Sequence, residues 1–431
     1  MNRSRPAIGG QHDDVLILTA STGAGHDSVA VALQEALREL APEVGVGVLD
    51  PLSGKSDNGP TSPARWYDAT VAHTPWLWGL IYRATNTEWA IRLGMAAGAL
   101  LWARRLRSAI RINRPGLVVS VHPLCTRLAA NILRTVPAAP PLHCVVTDLV
   151  TIHQCWASDG VDAFYVATSD ACDALIAMGI PQERIHITGL PLRHSFARAP
   201  LAPAGDATSR VLVLGGGRPS RRIEKVARAL VASRLPLRLV VVCGRNARLH
   251  RRLTCALGAG ATVLGWRDDI AALMRWSSMV ITKGGPTTLA EALSQARPVM
   301  IFQAHQGQEM GNVALAERTG SGCYIPDVDA LVREVAARSR ELPAGDSTQA
   351  AWWGSAAQRV AARLSKALVA TQFLDEYPAD PGGEARRSWH YEKEHAPPGR
   401  EIYNPISGER IVIRKSGAET GCPDFLTSRS S

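Results

Sequence analysis

The sequence predicts an α/β protein with two doubly wound parallel sheets, each covered by helices on both faces. Short apolar runs alternate with helical stretches over residues 15–191, and the same alternation restarts at residue 210. Between them, FARAPLAPAGDATS at 196–209 is rich in Pro, Ala and Gly and is typical of a linker. A chain of 431 residues also exceeds one ordinary core, so two domains are expected.

The predicted strands of the first half are short and apolar, as expected for strands buried on both faces. They are VLIL (15–18), VGVGVLD (44–50), LVVSVHP (117–123), LHCVVTDL (142–149), AFYVATS (163–169) and RIHITGLP (184–191). A helix follows the first strand. The face that we expect to pack on the sheet carries Val29, Leu33, Leu37 and Leu40.

The second half repeats the pattern and then changes character. Its predicted strands are RVLVLGGG (210–217), RLVVVCGR (238–245), TVLGW (262–266), MVITKGG (279–285) and PVMIFQ (298–303). WWGSAAQRVAARLSKALVATQFL (352–374) predicts a terminal helix, and a Pro- and charge-rich tail follows it. The expected parts are a domain at 12–195, a linker at 196–209, a domain at 210–345, a terminal helix at 346–375 and a tail at 376–431.

Composition limits the kind of partner. The hydrophobic fraction of 46% and the charged fraction of 20% are those of a globular protein. The net charge of +10 favours anionic partners such as phosphate-bearing substrates, acidic lipid or nucleic acid, although an arginine bias also arises from a GC-rich genome. Eight cysteines without a C-x-x-C pair argue against a metal or disulfide framework and favour a reducing cytosolic setting.

The stretch TASTGAGHDS at 19–28 lies where the first strand turns into a helix. A dinucleotide loop would need a third glycine, which is Ser28 here, although Asp50 does follow the second strand. A tight structural turn is a second interpretation. The third is a cleft residue: His26 near the positive end of a helix would favour its neutral form, which suits a general base.

Two later loops are candidates for phosphate binding. GGGRPS at 215–220 follows a strand and opens a helix, so its backbone N–H groups could face an anion. In the segment 281–312, Thr287 and Thr288 start a helix, and Glu291 one turn later could hold two ribose hydroxyls. The polar cluster of Gln308, Glu309 and Asn312 lies within reach of a sugar. A helix N-cap with a solvated loop is the alternative.

Residues 64–111 combine aromatic side chains with arginines, a composition that suits an anionic lipid interface. The aromatic residues are Trp66, Tyr67, Trp76, Trp78, Tyr82, Trp89 and Trp102, and the arginines are Arg83, Arg92, Arg104, Arg105, Arg107 and Arg111. Buried tryptophans beside solvated arginines are the alternative. Nucleic acid could use the same residues, but no nucleic-acid motif accompanies them.

Several motifs occur in the order of a known family: STGAGH, SVHP, VVTDLVTIHQCW and ITGLPLRHSF, then VLVLGGG, VVCGRN, VLGW, ITKGGPTTLAEA and GQEMGN. Over residues 13–330 the chain resembles the diacylglycerol glycosyltransferases of glycosyltransferase family 28, which include monogalactosyldiacylglycerol synthases and processive diacylglycerol glucosyltransferases. The resemblance implies a GT-B fold, in which two Rossmann-like domains face a cleft. The first would bind the acceptor and the membrane, and the second the UDP-sugar.

The resemblance also implies roles for particular residues. His26 would be the catalytic base, with Asp148 of the TDL motif orienting the base or the acceptor, and the acceptor side would include Gly23, Gly25 and His122. The implied donor-binding residues are Gly216, Gly217, Trp266, Gly284, Gly285, Pro286, Thr287, Thr288, Glu291, Gln308, Glu309 and Asn312. The diphosphate loop of the family often reads G-P-G-T, and Thr287 replaces the second glycine of that pattern here.

The expected function is therefore inverting transfer of a hexose from UDP-glucose or UDP-galactose to a membrane lipid, with diacylglycerol as the first choice. No metal is expected, and the DVD motif at 327–329 is interpreted as a helix N-cap rather than a metal site. The expected partners are a nucleotide sugar, a lipid acceptor and an anionic membrane surface through residues 64–111, with no nucleic acid. The expected location is cytoplasmic, on the inner face of the plasma membrane.

Other functions remain open from the sequence. One is transfer of N-acetylglucosamine to a polyprenyl-linked or other lipid, and another is glycosylation of a soluble natural product. A non-enzyme alternative is a sensor module that binds a nucleotide sugar without turnover. In the tail, residues 400–421 resemble the first strands of a cupin domain, without the histidine motif of a cupin metal site.

Overall fold

The computed structural model describes residues 13–20, 24–52, 84–197, 208–216, 222–305, 307, 309–339, 347–376, 401–403 and 410–412. The chain divides into two compact units, residues 1–365 and 366–431. Both large sheets lie in the first unit. This unit extends beyond residue 345, where the sequence places the end of the second domain.

The first sheet has six parallel strands, as the apolar runs predict. They are β1 (Val15–Leu18), β2 (Val46–Leu49), β3 (Leu117–Ser120), β4 (Leu142–Val145), β5 (Ala163–Val166) and β6 (Ile185–Ile187), in the order β2-β1-β3-β4-β5-β6. Val15 lies opposite Val46 on one side and Leu117 on the other. β2 thus lies on one side of β1 and β3 on the other, so the order in which strands are added to the sheet reverses between β1 and β3.

Helices cover both faces of this sheet. They are α1 (Ala24–Leu40), α2 (Glu88–Asn113), α3 (Pro123–Leu133) and α4 (Ser169–Ala177). On α1, Val29, Leu33 and Leu37 are buried as the periodicity predicts. Leu40 is 53% exposed, so its assignment to the packed face is wrong. It is the last residue of the helix, and the neighbouring Ala36 and Ala41 take the buried positions instead.

The second sheet is also parallel and six-stranded. Its strands are β7 (Ser209–Leu214), β8 (Leu237–Val242), β9 (Thr262–Leu264), β10 (Met279–Lys283), β11 (Val299–Gln303) and β12 (Gly322–Tyr324), in the order β12-β11-β10-β7-β8-β9. Its helices are α5 (Arg222–Ala232), α6 (Ala247–Leu257), α7 (Ile270–Trp276), α8 (Pro286–Ser294), α9 (Met310–Arg318) and α10 (Val328–Arg338). In this sheet the order in which strands are added reverses between β7 and β10.

These two reversals are topological switch points, where the loops after neighbouring strands diverge and leave a crevice at the carboxyl ends. In the first sheet the crevice lies beyond Leu18 and Ser120, and in the second it lies beyond Leu214 and Lys283. The first crevice receives the described residues of the TASTGAGHDS stretch, 19–20 and 24–28, and the second receives Gly215, Gly216 and the turn at 284–286. The fold thus places the three sequence motifs at the two positions where α/β sheets bind ligands.

The linker and the terminal helix differ in detail from their predicted bounds. Phe196 is buried and ends a 3₁₀ helix (His194–Phe196), and Ser209 begins β7, while residues 198–207 lie outside the described residues. The single helix predicted at 346–375 is wrong, because the structure has α11 (Ser347–Gly354) and α12 (Ala356–Glu376). The break falls at Ser355, whose hydroxyl bonds to the carbonyl of Ala351.

In the tail, β13 (Glu401–Tyr403) and β14 (Arg410–Val412) form an antiparallel pair within the segment 400–421 that resembles the first strands of a cupin domain. The remainder of the cupin-like segment lies outside the described residues. Within the described ranges, no helix has both the length and the apolar character needed to cross a membrane.

Candidate functional site

His26 lies in the first turn of α1, at the switch point of the first sheet. Its Nδ1 is 2.8 Å from the backbone oxygen of Val121, just beyond β3. A carbonyl oxygen can only accept a hydrogen bond, so Nδ1 carries the proton and Nε2 keeps its lone pair. The hydroxyl of Thr147, after β4, lies 3.1 Å from the same Nδ1. The surroundings therefore select the tautomer whose free nitrogen can accept a proton.

The environment of His26 also keeps its ring neutral. Burial lowers the pKa of His26, and the hydrogen bond to Val121 and the charge of Asp27 only partly oppose it. Asp27 is itself held by the Thr19 hydroxyl, at 3.0 Å. At neutral pH, His26 is therefore an unprotonated imidazole, as a general base must be.

His122, predicted on the acceptor side, does lie beside His26. The two rings meet edge to face with their centroids 4.6 Å apart. Burial, with the nearby charge of His26, holds the pKa of His122 well below its usual range. His122 is therefore a second neutral imidazole in the same crevice, which adds no positive charge that would compete with protonation of His26.

Trp156 forms a wall of the His26 pocket that the sequence analysis did not single out. It is fully buried, and its ring centroid is 6.4 Å from that of His26. Its indole N–H donates to Oδ2 of Asp148 at 2.7 Å. Asp148, predicted to orient the base or the acceptor, thus contacts this wall. The motif TDLVTIHQCW contained the signal, since both residues belong to it.

Lys283 is the main residue of the second switch point that the sequence analysis missed. It ends β10, where the pairing with β11 shifts register between Thr282 and Lys283. Gly216 has a φ of +71°, and a Cβ there would lie 3.0 Å from Cε of Lys283. A Cβ on Gly285 would lie 3.8 Å from the same carbon. The ammonium group is therefore placed between the two glycine loops, and the TKGG motif was its only sequence signal.

Glu309 and Asn312, predicted beside the sugar, hold this loop region together. The Asn312 side chain donates to the backbone oxygen of Gly284 at 2.8 Å, and Oε2 of Glu309 accepts from the backbone N–H of His305 at 2.9 Å. Oδ1 of Asn312 is buried and has no hydrogen-bond partner among the described residues. That oxygen is consequently a free acceptor next to the Gly284 loop.

The two crevices meet at α8. This helix starts after Gly285, with Pro286 in its first turn, so the N–H groups of Thr287 and Thr288 are at its free end. Across the cleft, a Cβ on Gly25 would lie only 2.8 Å from the Thr287 hydroxyl oxygen. The start of α1, which carries His26, therefore touches the start of α8. The sequence could not show this contact between its two halves.

Glu291 lies in the second turn of α8, where burial raises the pKa of its carboxyl to about 8 despite the opposing charge of Arg193. Arg193 comes from the segment that leaves the first sheet, and its guanidinium donates to the backbone oxygen of Asp268 at 3.4 Å. Arg193 and Asp268 line a cavity of about 400 Å³, together with Glu35, His194, Ser195 and Arg275. Glu291 is therefore connected with this cavity through the charge of Arg193, and the cavity is built from both halves of the chain.

Trp266 belongs to the same edge of the second sheet. The Arg245 guanidinium lies 4.0 Å from its ring centroid, and its indole N–H donates to the carboxylate of Asp268 at 3.1 Å. The ring is 42% exposed. One face of this predicted base-binding residue is therefore already covered by arginine.

Some predicted residues lie outside the described residues, namely Gly23, Gly217, Gln308 and the part of the lipid segment at 64–83. The described part of that segment has one exposed tryptophan and one that packs against the core. Trp89 is 69% exposed, whereas Trp102 packs against the core, as the alternative interpretation expects. Five arginines of α2 are exposed, namely Arg92, Arg104, Arg105, Arg107 and Arg111.

The N-cap interpretation of DVD is confirmed. Asp327 is the N-cap of α10, and its side chain accepts from the backbone N–H of Ala330 at 2.7 Å. In the part of the chain that the structure describes, no group of three or more acidic, histidine or cysteine side chains could hold a metal ion.

Comparison with known proteins gives two family matches. The family described as Monogalactosyldiacylglycerol (MGDG) synthase matches residues 26–192, and the Glycosyltransferase family 28 C-terminal domain matches residues 210–364. The first range contains β2 to β6 of the first sheet, and the second contains the strands of the second sheet from within β7 onward. The resemblance inferred from the motifs is therefore confirmed.

Individual relatives agree. The rice (Oryza sativa subsp. japonica) protein named "Probable monogalactosyldiacylglycerol synthase 2, chloroplastic" is 31% identical over 344 residues, 75% of this chain and 73% of its own length. The Arabidopsis thaliana protein "Monogalactosyldiacylglycerol synthase 2, chloroplastic" is 29% identical over 334 residues, 72% of this chain and 70% of its own. Both names carry a chloroplastic location, so the expectation of a cytoplasmic protein on the inner face of the plasma membrane is wrong.

Among solved structures, the UDP-GlcNAc 2-epimerase of Neisseria meningitidis, bound to UDP-GlcNAc, is similar with a TM-score of 0.54. It is 11% identical, and the match covers 82% of this chain and 99% of that one. At this identity the likeness concerns the fold alone. It confirms the GT-B fold with two Rossmann-like halves.

Proposed function

Because the chain belongs to the monogalactosyldiacylglycerol synthase family of UDP-sugar glycosyltransferases, we propose that it transfers a hexose to diacylglycerol with inversion at the anomeric carbon. The names of its relatives make UDP-galactose the first donor to test, before UDP-glucose. The contact between Gly25 and Thr287 is the observation that carries the proposal. It brings a neutral histidine and a helix N-terminus suited to a diphosphate to the same point of the cleft.

His26 takes the proton in the proposed reaction. The acceptor hydroxyl is deprotonated by Nε2 as its oxygen attacks the anomeric carbon, and UDP leaves from the opposite face of the sugar. Val121 holds Nδ1–H and Thr147 lies beside it, so the ring does not have to reorient. The resulting imidazolium is stabilised by the charge of Asp27, which raises the pKa of His26 against the effect of burial.

The leaving diphosphate needs compensation for its growing negative charge. The N–H groups at the start of α8 supply fixed dipoles, and Lys283 supplies a full positive charge between the Gly216 and Gly285 loops. The position of Lys283 supports this role. We propose that this arrangement replaces a divalent cation.

The rest of the donor has a site of suitable size. The cavity of about 400 Å³ that Arg193 lines falls within the range of small-ligand sites, and the charge of Arg193 acts on Glu291. Each hydroxyl of a ribose both donates and accepts, so a neutral Glu291 carboxyl, with one donor and one acceptor oxygen, matches the pair. The unpaired Oδ1 of Asn312 offers an acceptor for a sugar hydroxyl.

The first test is UDP release by the purified protein on anionic vesicles that contain diacylglycerol, with UDP-galactose, UDP-glucose and UDP-N-acetylglucosamine offered separately. The expected result is release with one hexose donor that requires diacylglycerol, and a product with the inverted anomeric configuration. Release with UDP-N-acetylglucosamine alone would contradict the proposed donor. Binding of UDP without release on any lipid would favour the sensor function.

The base has its own test. His26→Ala is expected to keep the affinity for UDP but to lose transfer by about 10²- to 10⁴-fold, the usual contribution of a positioned base. His250→Ala is the matched control, because His250 lies on α6 of the second sheet. Wild-type transfer by His26→Ala would remove this histidine from the mechanism.

A further inference from the structure

Arg127 joins three elements beside the His26 pocket and takes no part in the reaction steps proposed above. It lies on α3 with its side chain 14% exposed, and its guanidinium makes two parallel hydrogen bonds to Glu88 at the start of α2, at 3.1 and 2.8 Å. The same group donates to the backbone oxygens of Gln154 at 3.0 Å and Cys155 at 3.3 Å. All three guanidinium nitrogens are therefore engaged.

The residues that precede α2 reinforce this junction. Oδ1 of Asn86 accepts from the backbone N–H of Gln154 at 2.6 Å, and the Thr85 hydroxyl lies 3.4 Å from Nε2 of His153. The start of α2 is thus bonded along the 3₁₀ helix Gln154–Trp156. The last residue of that 3₁₀ helix is Trp156, which faces His26.

We propose that Arg127 is a positioning residue for the reaction: it fixes the 3₁₀ helix Gln154–Trp156, and with it the Trp156 wall that keeps water from His26, while Glu88 fixes Arg127. The kinetic consequence of this proposal rests on the proposed role of His26 as base. Its structural consequence, that Trp156 shields the His26 ring from water, does not depend on that role.

The chemistry of the junction explains why an arginine is needed. A guanidinium presents a planar fork that can bond a carboxylate in two places and two carbonyls at once. A lysine would carry the same charge without that geometry. Without Glu88, the positive charge of Arg127 would face carbonyl dipoles alone, and its side chain would lose the partner that orients it.

Within the described residues, titratable groups lie at both ends of this series of contacts, around His26 and around Arg127. Asp27 lies on the same helix as His26, His122 follows β3, and Asp148 follows β4. Around Arg127 the titratable groups are Glu88 and Cys155, and Arg92 also bonds to Glu88 at 3.2 Å. Neither Arg127 nor Glu88 bonds to His26, so a change in its pKa would report on Trp156 and solvent access.

The experiment compares Arg127→Lys and Glu88→Gln with wild type. Arg228→Gln is the matched control, because it breaks a 2.9 Å pair with Glu224 on α5, far along the chain from this pocket. The pKa of His26 is measured by NMR titration of histidine-labelled protein, and His26→Ala identifies its signal. Both junction variants are expected to raise that pKa by about half a pH unit toward 6.5, because water reaches the ring.

Turnover gives a second readout. We expect kcat to fall about tenfold in both variants, with the KM for the UDP-sugar within about twofold, since only the base side of the cleft is disturbed. The double variant is expected to lose no more than the worse single variant, because both changes act on one junction.

An unchanged His26 pKa in folded Arg127→Lys and Glu88→Gln would overturn the proposal, whatever the effect on melting temperature. If Arg127→Lys fails to fold, Glu88→Gln decides, because it keeps the side-chain volume but removes the carboxylate that orients the guanidinium of Arg127 toward Gln154 and Cys155. A wild-type protein without lipid-dependent transfer would contradict the proposed function, but the titration would still test the role of Arg127.

Discussion

At the scale of single residues, Glu291 shows how burial sets the charge state of a candidate ligand group. Its carboxyl lies at the seam between the two sheets, and burial raises its pKa to about 8, while the charge of Arg193 acts in the opposite direction. The neutral form therefore predominates at pH 7. A neutral carboxyl can donate one hydrogen bond as well as accept one, which suits the ribose role proposed for Glu291.

The same pKa predicts a pH-dependent stability. The pKa of Glu291 in the folded state lies above its ordinary value of 4.5, so its contribution to stability is full below that value and is lost as pH rises through about 8. Glutamine does not titrate. We therefore expect the melting temperature of Glu291→Gln, relative to wild type, to rise between pH 5 and pH 8.

Thermal melts at several pH values check this prediction. Glu183→Gln is the control, because Glu183 is exposed and should show no comparable trend. A constant difference between Glu291→Gln and wild type across this pH range would mean that Glu291 titrates as an ordinary carboxyl.

Lys283 is the second residue whose role can be tested alone. Lys283→Gln removes the positive charge between the Gly216 and Gly285 loops, so kcat is expected to fall by about 10²-fold, the usual cost of one lost stabilising group. The exposed Lys225→Gln on α5 is the control. EDTA should leave wild-type transfer unchanged, and a loss that Mg²⁺ or Mn²⁺ restores would refute the role proposed for Lys283.

At the scale of elements, the approach of α1 to α8 is the contact that makes one site from two sheets. Gly25 has no side chain, and this permits the Thr287 hydroxyl to lie where a Cβ would otherwise be. The family often has glycine at the position of Thr287. The side chain that fills this point of the cleft is therefore that of Thr287, on the α8 side.

This compensation predicts a reciprocal pair of substitutions. Gly25→Ala should reduce transfer, because its methyl group would clash with Thr287, and Gly25→Ala/Thr287→Gly should recover most of the loss. Gly265→Ala is the control for the change itself, since a Cβ there meets nothing within 4 Å. Steady-state rates of wild type, Gly25→Ala, Thr287→Gly and the double variant form the cycle. Additive losses would show that the two helices do not interact during turnover.

At the scale of the whole molecule, the net charge of +10 favours an anionic lipid surface. In the described part of the lipid segment, the exposed Trp89 and the exposed arginines of α2 lie on one helix. This combination is typical of helices that lie in a membrane interface. We therefore predict a peripheral membrane contact through α2.

Salt dependence tests the contact. Raising NaCl from about 0.1 M to about 1 M shortens the screening length from roughly 10 Å to roughly 3 Å. Transfer on anionic vesicles is therefore expected to fall with salt, whereas transfer on zwitterionic vesicles should change little. Sedimentation of the protein with each kind of vesicle separates binding from catalysis. An equal response on both would show that charge does not guide the protein to lipid.

Much of the fold could be predicted from local pattern. Parallel strands buried on both faces appear as apolar runs, and all eleven runs assigned as strands in the two halves coincide with strands of the two sheets. Only β12 (Gly322–Tyr324) was missed, because its three residues Gly, Cys and Tyr form no apolar run. The packed position predicted for Leu40 and the single helix predicted at 346–375 were wrong. Both depend on packing and hydrogen bonds that the periodicity does not record.

By itself the sequence determined the two-sheet architecture, the family and the motif residues, because strand burial, helix starts and glycine turns depend on neighbours along the chain. Only the tertiary structure decided which groups meet. The Val121 carbonyl bonds His26, Arg193 lies near Glu291, and Gly25 touches Thr287, although each pair is far apart in sequence. Such contacts follow from strand order and the switch points, which no local pattern records.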